Sequence, residues 1–137
     1  MFLSFAKASI YSINDTISIE HQLMPFEVCY GNYNNDVLSL ADFNGDLNGG
    51  EYKIIVLRSS FTWWPYGSMS SFDPLIEEWS NNENILFFEN LDDLGMPYSC
   101  EEWGNMYIEN IPVIVDDGNN NPLPINFFPS KHTIFRL

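Results

Sequence analysis

Positive charge is scarce in this chain. Among 137 residues, 5 Lys and Arg stand against 19 Asp and Glu, a formal net charge of −14. Phosphate backbones and anionic bilayers are held by Lys and Arg, so neither nucleic acid nor membrane is expected as a partner. Thiols are scarcer still: Cys29 and Cys100 are the only two, and they form no Cys-x-x-Cys pair. No run approaches the roughly 18 consecutive apolar residues of a membrane helix. Met1 to Ala6 lacks a basic region ahead of its apolar stretch and is interrupted by Lys7, which makes a poor signal peptide and leaves the compartment unassigned. Gly-x-Ser-x-Gly, a glycine-rich phosphate loop and His-Glu-x-x-His are all missing, which removes the familiar hydrolase and nucleotide-binding readings. His21 and His132 have no Cys or acidic partner at ligand spacing; they read as surface or satisfied core residues, and no metal or cofactor is implied.

What is present suits a single domain, since 45% hydrophobic residues in a chain of this length supply a real core. The organising stretch runs from Tyr52 to Trp79. Ile54, Ile55, Val56 and Leu57 form a continuous apolar run, the pattern of a strand covered on both faces. Met69, Phe72, Leu75, Ile76 and Trp79 then recur every three or four residues, along one side of a helix. Between them lies an aromatic turn, Phe61 to Ser68, at the carboxyl end of the strand, where open α/β sheets place their sites. Trp63, Trp64 and Tyr66 are the candidates for an exposed, ligand-facing cluster.

The remaining chain reads in order. Asn14-Asp15-Thr16 is a turn that is also an N-x-T sequon. Phe26 to Tyr30 and Val37 to Leu40 make a hairpin around Gly31 to Asn35. Asp42 to Glu51 offers alternating oxygens like a calcium loop, but from either starting acid a required ligand or glycine is missing, and it reads as a glycine-rich connecting turn. Asn84 to Glu89 is a second core strand, followed by a loop to Pro97. Ser99 and Glu102 have the spacing of a capping box, which starts a helix with Cys100 in its first turn. Ile111 to Val115 and Asn126 to Phe135 are further strand segments.

Phe61-Thr62-Trp63-Trp64-Pro65-Tyr66-Gly67, set between a strand and a helix, resembles the active-site segment of the thioredoxin-like redoxins. In that family an aromatic strand end leads into a Trp-Cys-x-x-Cys turn and a helix kinked by proline. Trp63 matches the family's Trp and Pro74 its helix proline, although Pro74 is spaced better for a register two residues later. Trp64 and Gly67 stand where the cysteines belong. A second register, similar to the peroxiredoxin Phe-Thr-x-x-Cys-Pro segment, puts Phe61 and Thr62 on the motif and Pro65 on the reactive cysteine. No register supplies a thiol, because no Cys lies between Ala41 and Ser99. Asn14-Asp15-Thr16 and the hairpin resemble the opening of redoxin domains, and Ile111-Pro112-Val113-Ile114-Val115-Asp116-Asp117-Gly118 resembles their edge strand and turn. Phe128-Pro129 resembles the cis-proline segment, with Pro112 as the alternative. The resemblance implies an α/β thioredoxin-like fold: a hairpin extension over residues 1–50, a core over 51–137 with a central mixed sheet flanked by helices, and no counterpart of the family's last strand and helix.

Dithiol exchange needs an attacking and a resolving thiolate, and the turn supplies neither. The leading expectation is therefore a non-catalytic module that holds an extended peptide or protein segment against Trp63, Trp64, Tyr66 and Pro129. One alternative is a thiol oxidoreductase or peroxidase using Cys100, whose pKa a helix start lowers and Glu101 and Glu102 raise. Another is a structural or regulatory domain that forms a homodimer through an open sheet edge. Cys29 and Cys100 are candidates for a disulfide if they lie within bridging distance; otherwise both are buried and inert. The acidic surface reads as a solubility device.

Overall fold

A computed structural model of the chain describes residues 11–12, 14–63, 73–107, 111–116 and 132–136. Its strands are β1 (Phe26–Tyr30), β2 (Val37–Leu38), β3 (Ile54–Phe61), β4 (Ile85–Asp92), β5 (Val113–Asp116) and β6 (His132–Arg136). Its helices are α1 (Ile19–Gln22), α2 (Gly45–Asn48), α3 (Asp73–Trp79) and α4 (Cys100–Gly104), with a 3-10 turn at Leu40–Phe43.

The apolar runs of β3 and β4 set the frame. They pair in parallel from Ile54 opposite Ile85 to Phe61 opposite Asp92, and β5 continues the parallel set on the far side of β4. Antiparallel strands close both sides, β6 on β3 and β1 on β5. The result is an open mixed sheet of five strands, lengthened by the short β2 to the order β2-β1-β5-β4-β3-β6. Parallel neighbours need crossovers, and α3 and α4 lie on the connections from β3 to β4 and from β4 to β5.

Both faces of the sheet are covered, which is why the runs are continuously apolar. On one face Ile55, Leu57, Phe88, Val113 and Val115 pack with Phe26, Leu38, Leu40, Phe43 and Ile17. Across the sheet, Val56, Phe87, Leu91 and Ile114 pack beneath Ile76 of α3 and beneath Cys100, Trp103 and Tyr107. The mixed α/β class with helices against a central sheet agrees with the sequence reading.

Several details differ from it. β3 does not stop at Leu57 but runs through Arg58, Ser59 and Ser60, because β4 is equally long and supplies ladder partners for the polar residues. Val113–Asp116 is an interior strand, not an edge, since β1 of the hairpin pairs with it. The returning hairpin strand is only Val37–Leu38; at Leu40 the chain turns into the 3-10 segment, which a Ser39/Asp42 capping box opens. Asp42 to Glu51 is not a plain turn: Asn44 caps α2, and Gly49, at φ 99°, ends it in the left-handed conformation that glycine adopts without strain. Trp79, placed on the helix's packed side by periodicity, is 44% exposed. Among the described peptide bonds, Met96-Pro97 and Ile111-Pro112 are cis; Pro129 lies outside the described residues, as do Met69 and Phe72.

Candidate functional site at the carboxyl ends of β3 and β4

Thr62 leaves β3 fully buried, and its hydroxyl rests on the carbonyl oxygens of Asp93 and, at 3.0 Å, Met96. The next residue, Trp63, is 52% exposed. Its ring lies against Phe61 with centroids 5.1 Å apart, and its indole Nε1 donates to Asp93 Oδ2 at 2.6 Å. These bonds tie the turn after β3 to the loop after β4.

That second loop is itself held tightly. Asp93 sits at φ 57°, a conformation that short polar side chains tolerate, and Gly95 at φ 80°. Met96 N donates to Asp93 O and Gly95 N to Tyr98 O. The loop presents Met96, 62% exposed, and Tyr98, whose ring leans on Trp103 of α4 at 6.1 Å. Trp63, Met96 and Tyr98 thus form an exposed apolar rim on two loops at the same end of the parallel strands.

Beneath the rim lies a buried charge pair. Arg58 and Glu89 stand opposite each other in the β3–β4 register, with Nε and Oε1 3.6 Å apart, and neither touches solvent appreciably. Arg58 Nη1 donates to the Tyr107 hydroxyl at 2.6 Å, and Trp103 Nε1 donates to Glu89 Oε2 at 3.3 Å. Burial pushes the Glu89 carboxyl up from its ordinary range, against the pull of Arg58 and of hydrogen bonds from Ser60, Tyr107 and Trp103. Burial, followed by the charge of Glu89, raises the Tyr107 phenol. Asp73, at the start of α3, is likewise raised by burial and lowered by Arg58. The cluster fixes β3, β4, α4 and Tyr107 relative to one another.

Cys29 and Cys100 form a disulfide, with Cα atoms 6.0 Å apart, joining β1 to the first turn of α4. The Ser99/Glu102 capping box read from the sequence is present, with Ser99 Oγ accepting from Glu102 N and Glu102 Oε2 from Ser99 N. Cys100 is 9% exposed and bonded, so no free thiol exists for a single-cysteine mechanism. No group of three or more His, Cys, Asp or Glu that could hold a metal is found among the described residues.

Of the residues singled out from the sequence, Thr62 and Trp63 are brought to the rim; Trp64, Pro65, Tyr66, Gly67 and Pro129 lie outside the described residues. Sequence reasoning missed Arg58, Glu89, Asp93, Met96, Tyr98, Trp103 and Tyr107. A signal for two of them was present. Ile-Ile-Val-Leu-Arg and Ile-Leu-Phe-Phe-Glu superimpose residue for residue, and parallel pairing of the two apolar runs sets the opposite charges side by side. No family model matches the chain, and no curated protein or solved structure shows significant similarity to it.

Proposed function

We propose that this chain is a thioredoxin-like domain that binds an extended peptide or protein segment and performs no redox chemistry at the turn after β3. The observation that carries the reading is the rim of Trp63, Met96 and Tyr98, exposed yet held in place by Thr62, Asp93 and Trp103. Aromatic side chains with few rotatable bonds lose little entropy when a ligand covers them, and a polar handle such as the Trp63 indole fixes the ring beforehand. The position outside the carboxyl ends of parallel strands, and the absence of a thiol from the turn, support a binding role over thiol catalysis.

The test is a peptide-display selection on the oxidised protein, followed by affinity measurements of the selected sequences. Trp63→Ala and Met96→Ala should each weaken binding by about tenfold or more, as truncation of central interface anchors does. Affinities unchanged in both variants, with native unfolding curves, would refute the assignment.

A further inference from the structure

We propose that the Cys29–Cys100 disulfide is a thiol-exchange site, opened by a small cationic thiol that attacks the Cys29 sulfur. The two half-cystines sit in opposite environments. Cys29 is exposed on β1, whereas Cys100 is enclosed with Val56, Ile76 and Trp103 in the helix-covered core. The sheet register explains the difference. Val28 pairs with Val115 and Tyr30 with Ile114, so Cys29 is the extra residue of a bulge and stands outside the β1–β5 ladder. Bulges re-aim a side chain at the place where pairing is interrupted. Here the same irregularity lets Tyr30 pack on Gly104 and donate to Asn105 Oδ1.

Which sulfur is attacked depends on access. A thiolate attacks Cys29 Sγ, forming a mixed disulfide, while the bond to Cys100 breaks and its electron pair leaves on Cys100 as a thiolate, which takes a proton from solvent. A second thiolate attacks the bound thiol's sulfur, forms the small-molecule disulfide and releases the Cys29 thiolate, which is protonated in turn. Two thiols are oxidised to one disulfide as the protein bond is reduced by two electrons. Reduction does not demand unfolding. A protonated Cys100 behaves as a small apolar residue where it stands, and α4 keeps its capping box, the Tyr30–Asn105 bond and the Trp103–Glu89 bond.

Charge selects the class of thiol. Glu27 lies two residues before Cys29, and Glu101 and Glu102 follow Cys100; all three are exposed in a chain of net charge −14. An anionic thiol such as glutathione is repelled and a cationic one such as cysteamine is drawn in, by an amount that salt screens.

The experiment treats the folded, oxidised protein with cysteamine or glutathione, quenches with acid at intervals and maps the mixed disulfide by mass. The expected adduct is on Cys29, with Cys100 free, at a rate that changes less than about twofold in urea below the unfolding transition. Cysteamine should outpace glutathione at matched thiolate concentration, with the ratio falling by severalfold as salt rises from about 0.02 to 0.5 M. An adduct on Cys100, or a rate that climbs with urea as global unfolding does, overturns the site. A cysteamine rate no greater than that of glutathione at low salt overturns the choice of thiol. As a second measurement, Cys100→Ser should leave Cys29 open to alkylation in native buffer, and Cys29→Ser should protect Cys100 until urea is added; the reverse pattern overturns the proposal.

Discussion

Replacing Arg58 by Met tests the buried pair most sharply, because the cost has a ceiling that depends on pH. Met retains much of the apolar stem but removes the charge facing Glu89, which is 0% exposed. Left unpaired, the Glu89 carboxyl does not stay ionised; it takes a proton. Its charge-related cost is then at most the free energy of holding it neutral against solvent. With an ordinary value of 4.5 and 1.36 kcal/mol per pH unit, that is about 3.4 kcal/mol at pH 7 and about 0.7 kcal/mol at pH 5. Burial already raises the Glu89 carboxyl in the native protein while Arg58 holds it down in part, so loss of Arg58 raises it further and the sign follows. The folded state holds the proton more tightly than the unfolded one, so stability is greatest below the unfolded value and declines as pH rises through the folded value. Urea unfolding of the native protein and Arg58→Met at pH 5 and pH 7 measures both numbers. Replacing both partners, as Arg58→Met with Glu89→Leu, should recover most of the loss, since a buried ion pair is seldom more stable than an apolar pair of similar volume. A penalty that is the same at both pH values, or a double variant no more stable than the single one, would refute the reasoning.

Two further outcomes are expected. Gly104→Ala improves intrinsic helix propensity by about 1 kcal/mol, but its Cβ would clash with the Cγ end of the Tyr30 ring. Thermal unfolding should therefore show a net loss of about 1–3 kcal/mol, which a gain would contradict. The Tyr107 phenol is raised by burial and by Glu89, so the folded state keeps its proton past the unfolded value of 10.0 and stability falls as pH rises beyond that value. Unfolding midpoints between pH 9 and 11 should drop by an amount that Tyr107→Phe reduces but does not abolish, because burial also raises Tyr33.

The parts of this fold that were legible in the sequence are those governed by local pattern. The run from Ile54 to Leu57 gave a central strand, and the spacing of Ser99 and Glu102 gave the start of α4. What escaped was set by partners distant in sequence. Arg58, Ser59 and Ser60 do not read as strand, yet β4 keeps them extended and Glu89 meets the charge. Residues 113–116 become an interior strand only because β1, more than eighty residues earlier, pairs with them. The site was half visible for the same reason. Thr62 and Trp63 stood out by composition and position, whereas Met96 joins them through its carbonyl oxygen, a group every residue carries.

The buried pair bears on the rim through register. An ion pair with a 3.6 Å separation inside the core contributes little net stability. Between two continuous apolar runs, by contrast, no alternation of apolar and polar residues marks the register, and a slide by two residues keeps two of the four apolar pairs from Ile54–Ile85 to Leu57–Phe88. Opposite charges at Arg58 and Glu89 remove that ambiguity, since a slide by two residues in either direction parts them and sets the Arg58 guanidinium against Phe87 or Leu91. Thr62 and Asp93 each follow their charge by four residues, and they are the two residues that meet where the rim begins. A register fixed at the charges is therefore a register fixed at the site, and the charge in the core is explained by where it places Thr62 and Trp63.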